Sequence, residues 1–135
     1  MTAALDDDLR RAIEQDCAGL VNRYANLNDA GDWAGVAALY DEHGMMARPT
    51  APDAPIVGRA AILAAFQARP TRTTRHICAN IVIDVESART ARGECAMLLF
   101  TDAAVPLIGS FHDRFVLTDE GWRFAERRGS LLFQS

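Results

Sequence analysis

The sequence predicts an α+β domain: a cone-shaped, curved antiparallel β-sheet with about three N-terminal helices packed on its concave face. Three observations carry that expectation. Apolar residues recur at helical spacing through the first half of the chain. They fall into four long strand-like stretches, separated by turn signals, in the second half. Helices first and strands after is the order of an α+β fold rather than an alternating α/β one. The 135 residues fit one domain, 1–135, and a chain of this length can bury enough surface to need no disulfide or metal staple.

Leu9, Ile13, Cys17, Leu20, Tyr24 and Leu27 form one stripe of a long amphipathic helix. Gly31 is its expected stop, because glycine accepts the left-handed conformation that closes a helix. Asp32 can then cap a short second helix carrying Trp33, Val36, Ala37 and Tyr40. Residues 41–44 break that helix, and Met45 to Arg48 reads as a short strand. Pro49, Pro52 and Pro55 mark a loop, readable as a mobile lid or as a stiff connector. A third helix starts at Gly58, carries Ile62, Leu63 and Phe66, and ends before Pro70.

The four strands are expected at 76–86, 91–101, 107–117 and 122–133, the last bent near Gly129. A cone built this way leaves a pocket between helix and sheet. Alternation puts Phe111, Asp113, Phe115 and Leu117 on one face of the third strand, with His112, Arg114 and Val116 on the other. An inward aspartate between two phenylalanines is costly unless paired. Asp113 therefore either lines the pocket or is tied to an arginine or to backbone amides, and His112 points away.

Composition narrows the function classes. Fourteen basic residues against eighteen acidic ones leave a net charge of −4, which is no footprint for nucleic-acid binding. The chain has no lysine, which excludes Schiff-base chemistry and a P-loop lysine. Cys17, Cys78 and Cys95 have no metal or redox spacing and read as reduced core thiols. No metal and no cofactor is expected: His43, His76 and His112 fall in different elements. An acidic start and the lack of a membrane-length apolar run predict a cytoplasmic protein with no membrane partner.

Three motifs point to a family. Tyr24-Ala25-Asn26-Leu27-Asn28-Asp29-Ala30-Gly31-Asp32-Trp33 lies on the first helix; Thr74-Arg75-His76 leads into Asn80; and Asp113-Arg114-Phe115 precedes Gly121-Trp122-Arg123-Phe124. Together they resemble the nuclear-transport-factor-2-like superfamily, and within it the SnoaL-like group containing scytalone dehydratase and bile-acid 7α-dehydratase. The resemblance spans nearly the whole chain. It implies a catalytic histidine at His76, its acidic partner at Asp29 and a pocket tyrosine at Tyr24. The chain departs from scytalone dehydratase at two places. Thr101 stands where that enzyme has a second catalytic histidine, and Asn28 where it has a tyrosine. The acid of the bile-acid enzyme in the region of Thr101 matches Asp102 or is missing.

The residues support the same pairing. Asp29 lies near a helix C-terminus, where the dipole disfavours its charge and a donor partner is wanted. A histidine at a strand start is such a partner, although Asp29 also reads as a solvated turn residue and His76 as a surface histidine. The expected activity is that of a cofactor-independent lyase or isomerase, dehydratase-like, on a small hydrophobic carbonyl compound. His76 would take the proton alpha to the carbonyl, Asp29 would hold the imidazole, and Tyr24 would polarise the oxygen. Met46, Phe66, Phe100, Thr101 and Asp113 would contact the substrate, with Arg72 and Arg75 near His76 able to attract an anion. The alternatives are a non-catalytic binder of a small apolar molecule and a small subunit of a larger enzyme. The outer sheet face and Leu131-Leu132-Phe133 predict a homodimer or homotrimer.

Overall fold

Helix α1 (Asp7–Ala30) begins where the Asp6 side chain accepts a hydrogen bond from the Leu9 amide at 2.7 Å, and Gly31, at φ 72°, closes it. Its buried face is Ile13, Cys17, Leu20, Val21, Tyr24, Ala25 and Asn28. Leu9, counted in the expected stripe, is exposed instead. Asp32 caps α2 (Trp33–Ala38) by accepting from the Gly35 amide at 2.9 Å. The computed structural model describes residues 5–131. The remaining elements are β1 (Tyr40–Arg48), β2 (Ala51–Val57), α3 (Arg59–Gln67), β3 (Arg75–Val85), β4 (Thr90–Phe100), β5 (Leu107–Thr118) and β6 (Gly121–Ser130).

The six strands form one sheet in the order β2-β1-β6-β5-β4-β3. Every neighbouring pair is antiparallel except β1 and β6, which run parallel. A parallel pair needs a long crossover, supplied here by α3 and the meander β3–β5. The helices lie on one face: α1 packs along β3 and against β6, and α3 against β1 and β2.

Three local expectations are corrected. Of the proline-rich stretch, Pro49 lies in a turn, while Pro52 and Pro55 belong to the edge strand β2, with Met45 opposite Val57 and Met46 opposite Ile56. Prolines are tolerated there because an edge strand leaves half its amide groups unpaired. Tyr40 opens β1 instead of closing α2, and β1 continues through residues 41–44 with an irregular register between Tyr40 and Met45. The strand expected to reach Phe133 ends at Ser130, and residues 132–135 lie outside the described residues. Gly129 is required where that strand passes the turn after β1, since a Cβ there would sit 2.4 Å from the Pro49 ring.

Two irregularities set which side chains point inward. In β3 the register slips between Ala79 and Val82 around Asn80, whose φ of 55° is left-handed. In β6 the register slips opposite Arg114 and Phe115, so that Ala125 has no partner of its own. Trp122 and Phe124 face the core before that bulge, and Arg127 and Gly129 after it.

The interior is filled. Tyr40, Ile62, Phe66, Phe115 and Phe124 are fully buried, with Met46 and Tyr24 nearly so. On the outer face, Ile77, Leu98 and Ile108 stand in register across three strands, and Phe100 sits opposite Arg75. No described helix is long and apolar enough to cross a membrane.

Candidate active site

Asp29 is the last acid of α1 and His76 the second residue of β3, and the packing of α1 along β3 brings them together. Nδ1 of His76 lies 2.6 Å from Oδ1 of Asp29, with the two side chains 12% and 7% exposed. The same carboxylate accepts from the His76 backbone amide at 2.8 Å and from the Thr74 hydroxyl at 2.9 Å. Three donors offset the unfavourable field of the helix C-terminus.

This geometry assigns the histidine tautomer. A carboxylate only accepts, so the proton between the pair sits on Nδ1, and neutral His76 leaves Nε2 as a bare acceptor. Burial pushes the His76 pKa below its ordinary value, opposed by the hydrogen bond and charge of Asp29 and assisted by the charges of Arg127 and Arg69. His76 is therefore a neutral, oriented base at pH 7.

The cleft beside His76 is small and polar. It encloses about 20 Å³, room for about one water, and is lined by Asn28, Trp33, Arg69, Arg72, Thr74 and His76 along with Pro70. The roomy apolar chamber expected between helix and sheet is not found among the described residues. A larger concavity of about 690 Å³ lies on the outer sheet face, among Arg92, Glu94, His112, Arg114, Glu126 and their neighbours, and includes neither His76 nor Asp29.

The other predicted contacts are dispersed. The Tyr24 hydroxyl lies 3.0 Å from that of Tyr40 and donates to Met46 Sδ at 3.5 Å, so it is engaged inside the core and does not line the cleft. Phe66 is wholly buried, stacked on Trp33 with ring centroids 5.4 Å apart. Phe100 points outward and is 44% exposed, because strand alternation pairs inward Leu99 with His76. Thr101 follows β4 and accepts from the Ala103 amide, and Asp102 is exposed in the same turn. Of the two arginines expected near His76, Arg72 lines the cleft, while Arg75, adjacent to His76 in the strand, takes the opposite face. His112 also faces outward, 3.8 Å from Glu94.

Asp113 resolves into the paired alternative. Its Oδ1 lies 3.2 Å from Nε of Arg127, directly opposite on β6, and both side chains are 1% exposed. The contact is close but not aligned as a hydrogen bond. The guanidinium carbon sits 3.7 Å from the centroid of Phe111, 4.4 Å from Tyr24 and 4.9 Å from Phe124. Burial outweighs the attraction of Arg127 and lifts the Asp113 carboxyl to about 6. Sequence reasoning missed Arg127, because alternation counted from Trp122 puts it outside and only the bulge turns it in.

The fold and the helix–strand Asp–His pair define a class, a helix-covered cone with a part-buried acid–imidazole pair at its mouth. The profile of the SnoaL-like domain matches residues 10–128, and the chain belongs to that family. A candidate scytalone dehydratase from Novosphingobium aromaticivorans DSM 12444 superposes with a TM-score of 0.82 at 22% identity, over 92% of this chain and 87% of the other. A nuclear-transport-factor-2-like protein with a cystatin-like fold, from the same species, gives 0.82 at 26% identity over 98% and 94%. A candidate dehydratase of that fold from Streptomyces avermitilis gives 0.78 at 15% identity over 90% and 96%. No curated protein matches the chain. These likenesses establish the fold and leave the reaction to be argued from the site.

Proposed function

We propose that the protein is a cofactor-independent lyase or isomerase of the dehydratase type, with His76 as general base and Asp29 as its orienting partner. The observation that carries this reading is the 2.6 Å contact between two nearly buried side chains, which leaves Nε2 of His76 free. Nε2 removes a proton from the carbon alpha to a carbonyl, and the Asp29 carboxylate stabilises the imidazolium that forms. Protonated His76 then returns the proton to a departing hydroxyl, giving dehydration, or to another carbon, giving isomerisation. Polarisation of the carbonyl falls to Asn28, which lines the cleft, rather than to Tyr24, whose hydroxyl is engaged with Tyr40.

As it stands the cleft of about 20 Å³ holds only a water-sized guest, so a larger substrate requires it to widen. A pure binding role leaves the oriented Asp29–His76 pair without a use. The outer-face row of Ile77, Leu98 and Ile108, with Phe100 beside it, supports assembly into a homodimer or homotrimer. Light scattering at micromolar concentration tests the assembly, and a monomer refutes it.

The test of the chemistry is exchange of alpha protons for deuterium across a panel of small ketones in D2O, which needs no leaving group. Wild type should catalyse exchange of at least one member, and His76→Ala should slow it by about 10²–10⁴-fold. Equal exchange by the two proteins overturns the assignment.

A further inference from the structure

The cleft beside His76 carries a positive charge that the proton-transfer chemistry does not use. Arg69 and Arg72 both line it, in a protein whose net charge is −4. Among the described residues neither arginine has an acid within ion-pair distance, and nor does Arg48. The carboxylate nearest to hand, Asp29, is already engaged by His76 and Thr74. Arg69 is also packed, its guanidinium carbon 4.5 Å over the ring of Phe66, which in turn stacks on Trp33. Burial, then the charge of Arg48, pushes the Arg69 pKa down, with Arg72 adding to the effect. Like charges gathered around one opening without a counter-charge are destabilising in the free protein, and an anion in the cleft relieves that cost.

We propose that Arg69 and Arg72 form a carboxylate anchor, and that the molecule acted on is an organic acid whose flat apolar part rests against Trp33. This rests on the reading of His76 as the base and adds the charge of the substrate to it. The carboxylate takes the solvent end of the cleft, where the guanidinium groups donate charge-assisted hydrogen bonds. The carbon skeleton then extends inward toward Nε2. The reacting carbonyl is a separate group, since a carboxylate already carrying charge is a poor site for developing more.

The test compares 2-naphthoate with 2-naphthamide, which have the same shape and differ by one charge, by following the side-chain resonances of His76, Asn28 and Trp33 during titration of the full chain. The carboxylate should bind about tenfold or more tightly than the amide, shift all three resonances, and weaken as salt is raised. Arg69→Gln should abolish the preference; Arg72→Gln, at an exposed position with little risk to folding, should reduce it. Equal affinities, no binding of the naphthoate, or shifts confined to residues outside the cleft overturn the anchor. The imidazole nitrogens are read in the same spectra: a proton on Nε2 instead of Nδ1 sinks the general-base reading while leaving the anchor standing, so the two failures are distinguishable.

Discussion

Among the described residues one acid–base pair is part-buried and another fully buried, and they are built differently. Asp29 and His76 meet at the mouth of the cone, where the carboxylate takes three hydrogen bonds and one imidazole nitrogen is left over beside a cleft. Asp113 and Arg127 meet deeper, between Tyr24, Phe111 and Phe124, with both carboxylate oxygens and two guanidinium nitrogens lacking an aligned partner. The first pair is organised by hydrogen bonds around a vacant acceptor, which is what proton transfer requires. The second is held by charge and aromatic faces with no atom facing open space. On the proposed function, the same two charge types serve proton transfer in one place and hold charge inside the fold in the other.

The comparison can be broken most directly at the mouth. Asp29→Asn should reduce alpha-proton exchange by about 10²–10⁴-fold, because the amide no longer fixes the productive tautomer. Unfolding in urea should meanwhile show the fold retained. An active Asp29→Asn protein would mean that the mouth pair is only structural. Deeper in, Asp113→Ala should cost about 3–5 kcal/mol in urea unfolding, because it strands the Arg127 charge. Replacing both with Asp113→Leu and Arg127→Met should return stability close to that of the wild type. If the double variant is as unstable as the single one, the buried pair contributes more than mutual neutralisation.

The two pairs also respond to pH in opposite senses. His76 has a lowered folded pKa, so its contribution to stability is present above the ordinary histidine value and is lost as pH falls through the folded one. Exchange activity should follow the same base, flat through pH 7 and falling on the acid side. Asp113 is raised from 3.8 to about 6, so its contribution is full below about 4 and is lost as pH rises through about 6. The difference in urea-unfolding stability between wild type and Asp113→Asn should shift against the wild type as pH rises from 4 to 7, the opposing His76 contribution being common to both. The smallest effect is expected from Thr74→Val, which removes one donor to Asp29 and should cost about 0.5–1.5 kcal/mol.

Much of this was legible from the chain alone. The stripe through Ile13, Cys17, Leu20 and Tyr24, the glycine stop at Gly31, and the alternation through Phe111, Asp113 and Phe115 are local patterns, and each has a local physical cause. The pairing of Asp29 with His76 was expected from the three motifs and from an acid at a helix end that wanted a donor. The proline-rich strand was not legible, because prolines at an edge and prolines in a loop look alike until a neighbour such as β1 is known. Phe100 was expected to contact the substrate, yet its strand parity sends it outward.

The sequence by itself determined the order of elements, the helix ends and the inward aspartate on β5, since periodicity and capping act over a few residues. Tertiary structure decided how large the cavity is, which arginine neutralises Asp113 and which arginines stand free at the mouth. A one-residue bulge at Ala125 reverses the facing of everything beyond it in β6, and with it places Arg127 in the core. No local pattern announces that reversal, because a bulge is fixed by the partner strand across the sheet rather than by the residues on either side.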